Sequence, residues 1–313
     1  MGRERAADRA EPLCRVVRFA AGDGVELAGL LYEPKRATQR VAVFLHGTGG
    51  SSVFESKRTN VLAEAFLAAG IAYFPFNNRG ALVVRRLRSA MMKKSLAGGS
   101  AYERIRDCVF DIDGAIAELR RRGYRDITLI GHSTGANKIA VYDHYKPRNL
   151  AKRYVLLGGG DDTGTLYEPL GPRRFANALV KARAMIRARR GEEFVPRALS
   201  PMLLSWQSFY DMANPDGDYN VFPFLEVMRD VRLGRKPRFR HLRAIRKPAL
   251  LLYGEHDEYA YGDVRRCVAI LAEAMREQPN AELAIVADAD HGFGGKEREL
   301  ADAIVNWWTS LSS

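Results

Sequence analysis

The most constraining feature of this chain is the run Ile127-Thr128-Leu129-Ile130, followed at once by Gly131-His132-Ser133-Thr134-Gly135-Ala136-Asn137. A short apolar run that stops at a glycine and passes into helix-forming residues reads as a strand turning sharply into a helix. At the apex of such an elbow a serine hydroxyl is lifted clear of the sheet, and the N-terminus of the next helix is aimed at the atom it attacks. The hydroxyl is a poor nucleophile alone, so the chemistry also demands a nearby base and donors for an oxyanion. Gly131 and Gly135, two residues either side of Ser133, leave room for the turn and for close helix packing. Ordinary turns use the same residues, so the pentapeptide by itself does not separate a reactive serine from a structural one.

Around the elbow, strand and helix signals alternate. Cys14 to Phe19 and Val25 to Tyr32 are β-rich and separated by a turn containing Asp23-Gly24, which predicts an antiparallel edge. Arg40 to Leu45 has the near-continuous apolar character of a strand buried on both faces. The loop after it, His46-Gly47-Thr48-Gly49-Gly50-Ser51-Ser52, lacks both the phosphate-binding Gly-Lys-Ser/Thr ending and the dinucleotide fingerprint. It fits a loop that presents backbone N–H groups to a carbonyl oxygen, with Thr48 as the donor, and a plain glycine-rich turn is the competing reading. A helix from Asn60 to Ala69, a strand from Ile71 to Phe76 and the polar loop Asn77-Asn78-Arg79-Gly80 come next. The basic segment from Arg85 to Lys94 reads as a surface excursion. Tyr102 to Arg122 is amphipathic, with Ile105, Val109, Ile112, Ile116 and Leu119 on one face. A helix from Thr134 to Tyr145 and a strand from Arg153 to Leu157 follow the elbow.

The alternation then breaks. From residue 161 to 247 no strand is evident, but helical stretches occur around Arg173 to Arg190, Met202 to Met212 and Phe222 to Leu233. A structureless loop of that length is improbable inside a compact domain, so the segment reads as a helical cap or lid inserted at a strand's C-terminal end. Strand and helix signals resume at Pro248 to Gly254, Gly262 to Arg276 and Ala281 to Ala287. A final helix, Glu297 to Leu311, places Ile304, Trp307, Trp308 and Leu311 on one apolar face. The pattern predicts an α/β fold with a mostly parallel, doubly wound sheet: a core from 13–160 and 248–313, a cap from 161–247, and a disordered tail at 1–12.

Composition narrows the partners. The net charge of +12 comes mostly from arginines dispersed along the chain, without a nucleic-acid module, so no nucleic-acid partner is expected. No stretch reaches the roughly 18 apolar residues of a membrane span. Cys14, Cys108 and Cys267 are far apart and without metal-type spacing, which suggests buried thiols, a reducing compartment and a cytoplasmic location.

A nucleophilic serine needs a histidine and an acid to orient it. Two late strand ends supply candidates, Gly254-Glu255-His256-Asp257-Glu258 and Asp288-Ala289-Asp290-His291-Gly292-Phe293. The order Ser133, Asp257, His291, together with the elbow and the His-Gly-Thr loop, resembles the α/β-hydrolase superfamily from about residue 14 to the C-terminus. Within it, the Gly-His-Ser-Thr-Gly elbow and Ser205-Trp206-Gln207-Ser208-Phe209 are similar to siderophore-esterase-like hydrolases. The resemblance implies Ser133 as nucleophile, His291 as general base and acid, Asp257 as orienting carboxylate, and the backbone N–H groups of Thr48 and Thr134 as the oxyanion hole. It requires no metal or organic cofactor, because such a triad generates its own nucleophile. Glu255 is a rival acid, and His256 and His132 are rival histidines. Many relatives carry Asp-x-Arg-Gly where this chain has Asn77-Asn78-Arg79-Gly80, so Asn78 and Arg79 are read as loop-stabilising or substrate-facing. Trp206 and Phe209 are candidate substrate contacts from the cap, with core packing as the alternative. The expected reaction is hydrolysis of a small or medium-sized, partly apolar carboxylic ester. Amide or thioester hydrolysis and acyl transfer use the same triad, and a non-catalytic binding protein on the same fold is the alternative of another class.

Overall fold

The computed structural model describes residues 13–49, 51–91 and 95–311, and the tail expected at 1–12 lies outside them. In chain order the elements begin with β1 (Cys14–Ala20), β2 (Glu26–Tyr32), β3 (Arg40–Leu45), α1 (Lys57–Ala68) and β4 (Ala72–Asn77). A small hairpin, β5 (Arg85–Leu87) and β6 (Leu96–Gly98), is followed by α2 (Cys108–Arg121), β7 (Asp126–His132), α3 (Thr134–Tyr145) and β8 (Arg153–Leu157). Four helices then intervene, α4 (Asp162–Arg187), α5 (Trp206–Ala213), α6 (Phe224–Met228) and α7 (Arg240–Ala244), before β9 (Ala249–Gly254), α8 (Val264–Ala274), β10 (Ala281–Val286) and α9 (Glu297–Ser310).

Eight strands form one sheet in the order β1-β2-β4-β3-β7-β8-β9-β10. Only β2 is reversed; it pairs antiparallel with β1 and with β4, and every other pairing in the sheet is parallel. The apolar strands are buried on both faces, and their period of two divides the core. In β3, Val41, Val43 and Leu45 join one apolar cluster, while Ala42 and Phe44 join the other. Likewise Tyr154 and Leu156 of β8 face one side, and Val155 and Leu157 the other. Helices α2, α3 and α8 close the first face through residues such as Ile112, Ile139 and Leu271. The second face is closed by α1 and α9 through Phe66, Ile304 and Trp308. Strand order turns outward in opposite directions from β3, toward β4 and toward β7. The C-terminal ends of β3 and β7 therefore flank a crevice of the kind where ligands bind in such sheets.

Three local readings change. The helix expected from Tyr102 begins later, because Ile105–Asp107 is a 3-10 turn and α2 starts only at Cys108. Leu311 is not on the apolar face of α9; it lies just past the helix end and is 41% exposed. Cys14 is exposed on the edge strand, whereas Cys108 and Cys267 are buried and free. The helical segment after β8 also has more detail than its periodicity revealed. Its first helix starts at Asp162 and is kinked at Gly171 (φ 68°, ψ 169°) between Pro169 and Pro172, each of which lacks the N–H of a regular helix. Among the described residues no helix is long and apolar enough to cross a membrane.

Candidate active site

Ser133 stands between β7 and α3 with φ 56° and ψ −131°, a conformation that a residue with a Cβ adopts only at a cost. Its N–H donates to Leu157 O at 2.8 Å, and its carbonyl accepts from Ala136 N at 2.8 Å, so the strained turn is held from both sides. The flanking glycines are required by contact. A Cβ on Gly131 would fall 2.3 Å from Gly135 O, and one on Gly135 would fall 2.3 Å from Leu45 O. No side chain fits where α3 leaves the sheet.

Asp257 follows β9 and His291 follows β10. His291 Nδ1 lies 2.9 Å from Asp257 Oδ1 and 3.0 Å from Oδ2, and both side chains are buried. With Nδ1–H donating to the carboxylate, Nε2 is left as the acceptor. Asp257 Oδ1 also accepts from Tyr259 N at 3.0 Å. The His291 backbone is held as well: its N–H donates to Glu258 Oε2 at 3.1 Å, and its carbonyl lies 2.7 Å from His132 Nε2. The Tyr259 ring lies 4.6 Å from the imidazole, centroid to centroid. Burial, with Arg58 next in effect, holds the His132 pKa well below the usual histidine range, which suits a neutral donor to that carbonyl.

Gly158, at the end of β8, is the common neighbour. It follows Leu157, which bonds Ser133, and a Cβ on it would sit 3.1 Å from both Asp257 Oδ2 and His291 Nδ1. Its φ of +52° also disfavours any other residue. Gly158→Ala is therefore expected to displace this pair by a fraction of an ångström and to lower by about tenfold or more any turnover that depends on the Asp257–His291 hydrogen bond. Steady-state kinetics beside a thermal melt check it, and wild-type turnover from a folded variant would contradict it.

On the β3 side, Gly47 packs against the serine, with a Cβ there falling 3.2 Å from Ser133 Oγ. Thr48 follows in the same loop, and its carbonyl accepts from Ser51 Oγ at 3.1 Å. Thr134 is buried as the first residue of α3. Thr48 thus follows the glycine that touches Ser133, and Thr134 follows Ser133 itself at the start of α3. Asn77 pins the Thr48 loop by accepting from Val53 N at 2.8 Å and donating to Ser52 Oγ at 3.0 Å.

The other expected contacts lie elsewhere. Asn78 is 1% exposed; its Oδ1 accepts from Gly80 N and Lys138 Nζ, and its Nδ2 donates to His46 O. It stabilises the loop and presents no free face to a substrate. Arg79 pairs with Asp111 at 2.7 Å and with Asp23 at 3.0 Å, also inside the protein. Trp206 and Phe209 are 3% and 0% exposed and belong to the large apolar cluster, packed edge to face against each other. The expectation that they line a pocket is replaced by core packing, because an amphipathic helix buries its aromatic side first. Phe222, from the same segment, does reach the β8 end, since a Cβ on Gly159 would fall within its ring. Of the rivals, Glu255 engages Arg265 and the N–H of Asp288, and His256 is exposed. Glu255, His256 and Asp288 converge closely enough for a cation, but Glu255 already has protein partners. Sequence reasoning gave no role to Glu258, Tyr259, Gly158 or Asn137. The first two had a signal in their adjacency to Asp257; the others acquire neighbours only in the fold.

A model of the alpha/beta hydrolase family matches residues 42–303. The chain belongs to that family. Solved hydrolase-fold structures align over nearly the whole chain. The esterase Pf2001 of Pyrococcus furiosus shares 16% identity at a TM-score of 0.57, covering 99% of this chain and 96% of that one. Est1E from Butyrivibrio proteoclasticus shares 15% at 0.55, covering 94% and 98%. Carboxylesterase CesB from Bacillus subtilis shares 17% at 0.53, covering 94% and 90%. At these identities the likeness is one of fold. No curated protein sequence matches the chain.

Proposed function

We propose that this alpha/beta hydrolase is a serine esterase that cleaves a small or medium-sized carboxylic ester through an acyl-enzyme. The observation that carries the reading is the buried Asp257–His291 hydrogen bond, packed against Gly158 of the same strand end whose Leu157 holds a serine in a strained elbow. In this reading Ser133 Oγ attacks the ester carbonyl while His291 Nε2 takes its proton, and Asp257 stabilises the imidazolium. The N–H groups of Thr48 and Thr134 receive the oxyanion, and α3 adds the positive end of its dipole. Collapse of the tetrahedral intermediate returns the proton to the departing alcohol. Water, deprotonated by His291, then attacks the acyl-enzyme and releases the acid. Helices α4 to α7 form the cap, and Phe222 of that segment packs over Gly159 at the end of β8.

Ester cleavage is preferred over amide cleavage, thioester cleavage or acyl transfer because the similar structures named above are esterases. A fluorophosphonate probe tests the reading directly. It is expected to modify one serine, Ser133, in the native protein, with the adduct located by peptide mass spectrometry. Failure to label, or equal labelling of Ser133→Ala, sinks it.

A further inference from the structure

Two neighbouring aspartates open the segment between β8 and β9, and their side chains diverge. Asp161 caps α4, accepting from Gly164 N at 2.7 Å, and its other oxygen accepts from Leu225 N at 2.8 Å and from the Tyr261 hydroxyl at 3.1 Å. It anchors the segment to its own helices and to the loop after β9. Asp162 turns to α3 instead. Its Oδ1 accepts from the Thr134 hydroxyl at 3.3 Å and its Oδ2 from Asn137 Nδ2 at 2.9 Å. Thr134 and Asn137 are three residues apart and share one helix face, so a single carboxylate spans the first turn of α3. Asn137 also clamps Gly160, donating to its carbonyl at 2.8 Å and accepting from its N–H at 3.2 Å.

We propose that Asp162 is a positioning residue for the acyl-transfer reaction: its carboxylate fixes where Thr134, and with it the backbone N–H beside Ser133, stands when the oxyanion forms. This rests on reading Ser133 as the nucleophile and Thr134 as an oxyanion donor. Asp162 acts only through α3. An oxyanion donor is worth about 10²–10³ in rate, and only at hydrogen-bond distance, so loosening the turn that carries it costs part of that factor. Without Asp162 the Asn137–Gly160 clamp still ties α3 to the end of β8. The tie to Thr134 is lost. Burial, and Asp161 beside it, push the Asp162 pKa up to about 7 against the opposing Thr134 hydrogen bond and Lys138. A neutral side chain of the same shape therefore suits the position. An asparagine meets both partners, accepting from Asn137 and donating to a rotated Thr134 hydroxyl.

In Asp162→Ala, kcat for an ester that the wild type cleaves is expected to fall about 10- to 100-fold, with KM changed by less than about threefold. The fluorophosphonate labelling rate is expected to fall in parallel, because phosphonylation uses the same donors. Asp162→Asn restores both. Thr134→Val is expected to reproduce the loss, and the double variant Thr134→Val/Asp162→Ala to add little to it, since both remove the Thr134–Asp162 hydrogen bond that sets the donor's position. The positioning role is overturned if Asp162→Ala melts lower but keeps its kcat, if the Thr134 and Asp162 losses multiply, or if Asp162→Asn is as slow as alanine. A wild-type protein that takes no label overturns the nucleophile reading, and the positioning role with it. Wild type and Asp162→Ala labelling at equal rates overturns the positioning role alone.

Discussion

Ser133→Ala is expected to lower kcat/KM for ester hydrolysis by about 10⁴-fold or more while leaving the fold intact. The size follows from what is removed. Without the hydroxyl no acyl-enzyme forms, and only oxyanion donation and binding remain to assist direct attack by water. The intact fold follows from the backbone. Ser133 sits at φ 56° with ψ −131°, and alanine, which also has a Cβ, inherits the same strain. The N–H to Leu157 O and the carbonyl accepting from Ala136 N are backbone bonds that the substitution does not touch. Ser133→Gly separates the two properties: it is equally inactive but relieves the strain, with an expected stabilisation of about 1 kcal/mol. Kinetics and thermal melts on wild type and both variants check this. An alanine variant that loses only a few-fold in activity identifies another nucleophile.

Asp257→Asn is expected to cost about 10⁴-fold in kcat with little structural change. The Asp257 carboxylate accepts from His291 Nδ1 through both oxygens, at 2.9 and 3.0 Å, and so holds the tautomer whose Nε2 can take a proton. An amide that donates to Nδ1 places the imidazole proton on Nε2 instead, so the nitrogen proposed as the base becomes a donor. The imidazolium formed during attack also loses its counter-charge in a buried site, where water cannot replace it. Glu255→Gln is the control, because Glu255 is engaged by Arg265 and the N–H of Asp288, and its kcat is expected to stay within about twofold of wild type. A comparable loss in both variants, or a larger one in Glu255→Gln, refutes the choice of Asp257.

Much of the fold was legible because buried parallel strands announce themselves. Arg40 to Leu45, Arg153 to Leu157 and Pro248 to Gly254 are near-continuous apolar runs; the first two are strands at those positions, and the third is a strand from Ala249. The segment between β8 and β9 was legible only as helical. Its kink at Gly171 and its short helices α6 and α7 depend on neighbours the periodicity does not reveal. Its aromatics misled for the same reason. Trp206 and Phe209 lie on an amphipathic helix, and hydrophobic pattern reports that a face is covered without saying by what.

What the sequence by itself determined is the set of local geometries: the strand-to-helix elbow at Ser133, the glycines that permit it, and the strand ends that carry Asp257 and His291. These are short-range consequences of backbone sterics and apolar periodicity, and they need no knowledge of the rest of the chain. Only the tertiary structure decided which groups share a neighbourhood. It drew Gly158 against the Asp257–His291 pair, turned Glu255 toward Arg265, closed Asn78 onto Lys138, and set Asp162 under the first turn of α3 across 28 residues. Hydrogen bonds demand positions accurate to a few tenths of an ångström between residues far apart in sequence, and only the packed sheet holds them so closely.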